Sequence, residues 1–136
     1  MSALEIVTVP CLSDNYAYLL RAANGETAVI DAPEAAPIIA ALEARGWRLD
    51  WIWLTHHHAD HVGGVAELKA GYGCRVAGAK TDEGRLPRLD VALEEGETID
   101  LGDETAEVID VSGHTVNHIA YHFAGAKAVF TGDSLF

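Results

Sequence analysis

Residues 56–61 (HHHADH) hold four of the chain's seven histidines, and they follow directly on a nearly apolar stretch, residues 49–54 (LDWIWL). The apolar stretch is dense enough in bulky residues to be a strand buried on both faces, as in a parallel sheet covered by helices. A loop leaving the carboxyl end of such a strand can aim polar side chains into a crevice. In His56-x-His58 the imidazoles stand two residues apart, so an extended backbone projects both to one side, where they can grip one ion. Asp60 and His61 fall at the predicted start of a helix and approach from a different stretch of backbone, which suits a second ion beside the first. The pattern therefore fits two centres better than one closed tetrahedron.

Two further residues complete the constellation. His114 follows a predicted strand in the run Ser112-Gly113-His114-Thr115 and would finish the first centre. Asp133 follows the apolar residues 128–130, with Gly132 before it to permit a tight turn. A carboxylate can face both ions, so Asp133 is the candidate bridge. Imidazole and carboxylate donors without thiolates suit zinc, iron or manganese. One histidine alone is usually an ordinary polar residue, and a histidine tract can bind metal adventitiously. Six ligand-type residues at these spacings and strand ends outweigh that bland alternative.

The remaining pattern predicts helices packed on a mixed sheet system in one domain of 136 residues, an α/β (α+β) chain. Strands are predicted at residues 4–9, 15–22 and 26–31, with Asn24-Gly25 as a hairpin signal before the third. A helix is predicted over 33–45, with Ile38, Ile39 and Leu42 on one face and Gly46 ending it. Strand 49–54 precedes a second helix over 62–72, with Val65, Leu68 and Tyr72 on one side. A strand at 75–79 leads to a polar loop over 81–90. Two hairpins close the chain, 97–101 with 104–111 and 118–123 with 127–131. Trp47, Trp51 and Trp53 are expected in the core or on a sheet face. His118 and His122 are expected to be structural, His57 to pack behind the motif, and Cys11 to be a small buried residue. Asp31 and Thr55 end strands beside the site and can orient the ligands by hydrogen bonds, with simple turn capping as the alternative.

The net charge of −12 opposes binding to nucleic-acid phosphates and to anionic membrane surfaces. No apolar run reaches the roughly 18 residues of a membrane span, and residues 1–21 lack the layout of a signal peptide. Two cysteines without a CxxC pattern suit a reducing cytoplasm.

The runs THHHADHVGG (55–64), SGHT (112–115) and TGDSLF (131–136) resemble the metallo-β-lactamase superfamily. DNYAYLL (14–20), VIDAP (29–33) and NHIAYH (117–122) make the chain look like its glyoxalase II branch, the hydroxyacylglutathione hydrolases. The resemblance implies an αββα sandwich, with residues 1–136 forming a metallo-β-lactamase-like metal-binding domain. It implies that His56, His58 and His114 bind one metal and Asp60 and His61 a second, while Asp133 bridges them. Zinc is the metal expected first. The family draws another histidine, its glutathione-binding side chains, its last strands and a helical domain from segments beyond the point matching Phe136. The chain thus resembles an N-terminal portion, incomplete at its C-terminus, which as an isolated fragment would bind metal but turn over little substrate. An exposed apolar patch where the second helical layer would sit would support the fragment reading.

The implied reaction is hydrolysis of an S-(hydroxyacyl)glutathione such as S-D-lactoylglutathione to glutathione and a 2-hydroxy acid. Asp60 and Asp133 are its candidate catalytic residues, Asp60 orienting the attacking water. A thiol with a pKa of about 8.5 leaves without a dedicated general acid, which agrees with a motif made of ligands alone. The rival within the superfamily is an iron-dependent persulfide dioxygenase.

Overall fold

A computed structural model describes residues 4–11, 15–55, 64–80, 89–102, 104–110, 119–123 and 128–130. Among these, ten strands form two sheets. The larger holds β1 (Glu5–Cys11), β2 (Asn15–Arg21), β3 (Thr27–Ile30), β4 (Trp51–Trp53), β5 (Arg75–Ala79) and β6 (Val91–Leu93), in that spatial order. The first three strands are antiparallel, and β3 to β6 run parallel. The smaller sheet is antiparallel and ordered β10-β9-β8-β7, from β7 (Thr98–Leu101), β8 (Glu104–Asp110), β9 (Ile119–Phe123) and β10 (Ala128–Phe130).

The parallel strands need crossovers, and two helices supply them: α1 (Ala35–Arg45) between β3 and β4, and α2 (Val65–Tyr72) between β4 and β5. Pro37 falls in the first turn of α1, where its missing N–H breaks no helical bond. Gly46 ends α1 in the left-handed region (φ 67°). Its amide bonds to the Glu43 carbonyl and that of Trp47 to the Leu42 carbonyl, a Schellman ending.

The larger sheet is apolar on both faces because its side chains alternate. Leu19, Val29, Ile52, Leu54 and Val76 meet Ile38, Leu42, Val65 and Leu68 of the helices. Tyr18, Leu20, Ile30, Trp53 and Ala77 face the other way, onto Leu101, Val108, Tyr121, Phe123 and Phe130 of the smaller sheet. Trp53 stacks on Phe123 with centroids 5.6 Å apart and also meets Tyr121 at 5.2 Å. The result is a layer of helices, a sheet buried on both sides, and a second sheet.

Predicted and observed elements agree closely. The helix expected from residue 33 begins at Ala35, and of the second helix residues 62–63 fall outside the described residues. Ile38, Leu42, Val65 and Leu68 are buried as expected, while Ile39 and Tyr72 only pack partly against the core. Trp51 and Trp53 are buried; Trp47 is partly covered, with the Arg21 and Arg45 guanidinium groups 5.2 and 5.7 Å from its ring centre. Strand β6 was not expected. It is three residues long and pairs parallel to β5, so it carries neither a hairpin turn nor a resolvable alternation.

The predicted turn at 13–15, most of the loop at 81–90, the Gly125 turn, His118 and the Cys11 side chain lie outside the described residues. Outward positions described on the smaller sheet are Thr98, Asp100, Thr105 and Glu107, all exposed, Ile109 and His122, half-buried, and Ala120, buried. The Thr105 hydroxyl donates to the Asp100 carboxylate at 2.7 Å across that face.

Leu42 is fully buried at the contact of α1 with the larger sheet. Leu42→Ala should therefore destabilise the fold by about 2–5 kcal/mol, read as a lower urea midpoint. A loss below about 1 kcal/mol, the range of mild core trimming, would contradict this packing.

Candidate metal centre

Strand β3 ends where Asp31 adopts a positive φ of 63°. This left-handed conformation is uncommon for a side-chain-bearing residue and is tolerated best by Asn and Asp. The Asp31 amide still completes the ladder, donating to the Trp53 carbonyl at 2.8 Å. Its fully buried carboxylate then turns to the end of β4. One oxygen accepts the Thr55 amide and the other the Thr55 hydroxyl, both at 2.8 Å.

Where β4 leaves the sheet, the carbonyls at its exit need partners from elsewhere. The smaller sheet supplies them. The Tyr121 hydroxyl donates to the Leu54 carbonyl at 2.7 Å, and the Ile119 amide donates to the Thr55 carbonyl at 2.9 Å. Leu54 and Thr55 are thus held by β3 on one side and β9 on the other, directly before the histidine run.

The far end of that run is also fixed. The Gly64 amide donates to the Ala32 carbonyl at 2.6 Å. A β-carbon on Gly64 would stand 2.6 Å from the Ala35 nitrogen and 2.9 Å from the Glu34 carbonyl carbon. Only glycine permits this approach between the start of α2 and the start of α1. Segment 56–63 therefore springs from, and returns to, the turn that follows Asp31.

The other two candidate segments begin at the same corner. In the smaller sheet Asp110 pairs with Ile119 and Phe130 with Tyr121. The exits of β8 and β10, toward residues 111–118 and 131–136, thus lie beside the start of β9, and β9 is bonded to the exit of β4. The roots of all three donor-bearing segments converge.

The six predicted ligands themselves, His56, His58, Asp60, His61, His114 and Asp133, lie outside the described residues, as does His57. Among the described residues no group of three or more His, Cys, Asp or Glu could hold a metal ion. Asp31 and Thr55 are described and are bonded to each other. Four imidazoles and two carboxylates on segments rooted at one corner form a donor set that suits zinc, iron or manganese.

The sequence reading did not single out Tyr121 or Gly64. Tyr121 is one inward position in the apolar strand IAYHF, and nothing local marks its hydroxyl. Gly64 carried a signal in its pairing with Gly63, but its reason, the close approach to α1, is tertiary. Burial, reinforced by the nearby Asp31 carboxylate, pushes the Tyr121 phenol well above its ordinary range. Cys74, a buried free thiol, is likewise raised chiefly by burial, which makes it a poor nucleophile.

The family model for the metallo-β-lactamase superfamily matches residues 12–136. The chain belongs to this superfamily. It is 62% identical over 133 residues to a hydroxyacylglutathione hydrolase of Ruegeria pomeroyi, covering 97% of this chain and 52% of that protein. It is 57% identical over 136 residues to one of Jannaschia sp., covering 99% and 53%. The chain thus spans about half the length of the curated relatives it matches. In structure it is similar to the BLEG-1 B3 metallo-β-lactamase, with a TM-score of 0.82, 20% identity, and coverage of 93% of this chain and 71% of that one. It is also similar to BJP-1 of Bradyrhizobium japonicum, with a TM-score of 0.74, 19% identity, and coverage of 99% and 57%. At these identities the structural likeness shows the fold.

Two outcomes follow from this corner. Asp31→Asn leaves one amide oxygen as acceptor where Thr55 presents two donors, so a loss of about 1–3 kcal/mol is expected by urea unfolding; unchanged stability would contradict the pairing. Tyr121 ionises more readily unfolded than folded, so its contribution is whole below the unfolded pKa of about 10 and is lost as pH climbs from there toward the raised folded value. Between pH 9 and 11 the wild-type protein should lose stability more steeply than Tyr121→Phe, with parallel pH profiles as the contrary result.

Proposed function

We propose that the chain forms the metal-binding domain of a binuclear thioester hydrolase acting on S-(hydroxyacyl)glutathione, with S-D-lactoylglutathione as the representative substrate. The observation that carries this reading is the bond from the Ile119 amide to the Thr55 carbonyl. It ties the root of the segment bearing His56 and His58 to the root of the segment bearing His114. The names of the relatives supply the substrate class.

In this reading His56, His58 and His114 would hold one ion, Asp60 and His61 the other, and Asp133 would serve both. When bound, a pair of divalent ions, zinc foremost, supplies a water ionised near neutral pH and a Lewis acid for the developing oxyanion. Asp60 would serve to orient a water for attack on the thioester carbonyl. Asp31 and Thr55 brace the end of β4 directly before His56, the kind of support that ligands of a metal need. Glutathione departs as a thiolate of pKa about 8.5, so no side chain has to protonate it. That leaving group also suits a reducing cytoplasm as the site of action.

The test is thiol release from S-D-lactoylglutathione by the natural protein. Chelation should abolish the release and added zinc restore it. His58→Ala should lower kcat/KM by more than the roughly 100-fold that loss of an outer partner costs. Thiol release indifferent to chelators would overturn the reading. So would oxygen uptake with glutathione persulfide by a protein holding one iron per chain, the behaviour of a persulfide dioxygenase.

A further inference from the structure

Tyr121 is fully buried in a layer that is otherwise apolar, among Trp53, Phe123 and Phe130. A phenylalanine would fill that space as well, so the hydroxyl needs its own explanation. Its acceptor is the Leu54 carbonyl, two residues before His56. On the larger sheet the last bond joining β3 to β4 is that from the Asp31 amide to the Trp53 carbonyl. At the next residue β3 has already turned away through the positive φ of Asp31. The Leu54 amide donates to the Ala77 carbonyl of β5, so its backbone does not face β3, and its carbonyl is met by Tyr121 reaching across from the other sheet. On β9 the same residue stands two positions after Ile119, whose amide holds Thr55. Tyr121 and Ile119 together clasp two consecutive carbonyls of the β4 exit.

We infer that Tyr121 is a positioning residue for the metal centre: its hydroxyl fixes the spacing between the roots of the segment bearing His56 and His58 and the segment bearing His114. The inference rests on the metal-centre reading above. Without the hydroxyl, β4 and β9 still pack through their rings and the Leu54 amide stays on Ala77, but the Leu54 carbonyl loses its bond to β9. Of the two bonds that tie the roots of these segments, only that from the Ile119 amide to the Thr55 carbonyl then remains. Metal binding should suffer before folding does.

The experiment compares wild type, Tyr121→Phe and Leu101→Ala, a core substitution on β7 that touches none of these bonds. Zinc affinity is measured by competition with a chromophoric chelator, and the d–d spectrum is recorded after loading with cobalt(II). Tyr121→Phe should weaken zinc binding about 10–100-fold, the range for partners that orient a ligand, and change the cobalt spectrum. Leu101→Ala should lower the thermal midpoint while leaving affinity within about twofold, well inside that range, and the spectrum unchanged.

If Tyr121→Phe fails to fold, 3,5-difluorotyrosine placed at 121 keeps ring and hydroxyl while altering the strength of the bond. A cobalt spectrum identical to wild type would then overturn the inference. With a folded variant, unchanged affinity and spectrum would do the same, as would equal losses in Leu101→Ala. A wild-type protein that takes up no zinc would overturn the metal-centre reading and this inference together. Uptake by wild type with an unaltered variant would overturn the inference alone.

Discussion

The buried pairing of Asp31 with Thr55 is the constraint on which the rest of this structure turns. A strand at the centre of a parallel sheet normally ends with backbone groups facing solvent. Here the end of β4 is instead gripped by a carboxylate from β3, with both bonds at 2.8 Å, and by an amide and a hydroxyl from β9. The positive φ of Asp31 lets one residue finish the β3 ladder and still present its side chain to the neighbouring strand. Such a conformation is held only where its surroundings over-determine it. The bonds of Asp31 to Trp53 and Thr55, with those that hold Leu54 and Thr55 to β5 and β9, do so.

The two cores explain why that grip can be rigid. Helices close one face of the larger sheet, and the smaller sheet closes the other. The stacked rings of Trp53, Tyr121 and Phe123 fix the distance between the sheets at the level of the β4 exit. At the opposite end Glu26 acts as a second brace. Its carboxylate accepts the Trp51 indole N–H at 3.1 Å and the Gly102 amide at 2.6 Å, joining β3, β4 and the β7–β8 turn. Sheets pinned at both ends offer a firm base for a centre whose donors all sit on connecting segments, and donors need that support to hold a ligand geometry.

Much of this was legible from the chain alone. The run LDWIWL announces a strand covered on both faces, and the helices declare themselves through Ile38, Leu42, Val65 and Leu68. The histidines carry their meaning in their spacing, and Asp31 and Thr55 are conspicuous as polar residues ending apolar strands. What escaped depends on the juxtaposition of elements distant in sequence. The role of Tyr121 requires knowing that β9 lies against the end of β4, sixty-seven residues away in sequence. Gly64 is required by the backbone of α1, and β6 by a parallel partner with no turn to betray it. The described outer face of the smaller sheet joins exposed Thr98, Asp100, Thr105 and Glu107 to half-buried Ile109 and buried Ala120, a mixture set by the pairing of its strands.

The central claim is that the three segments rooted at this corner hold a pair of metal ions with imidazole and carboxylate donors. X-ray absorption at the metal edge of the zinc-loaded natural protein addresses it most directly. The account predicts two ions per chain separated by about 3.5–4 Å, with nitrogen and oxygen neighbours and no sulfur in the first shell of scatterers. A single isolated ion, or sulfur among its ligands, would contradict it.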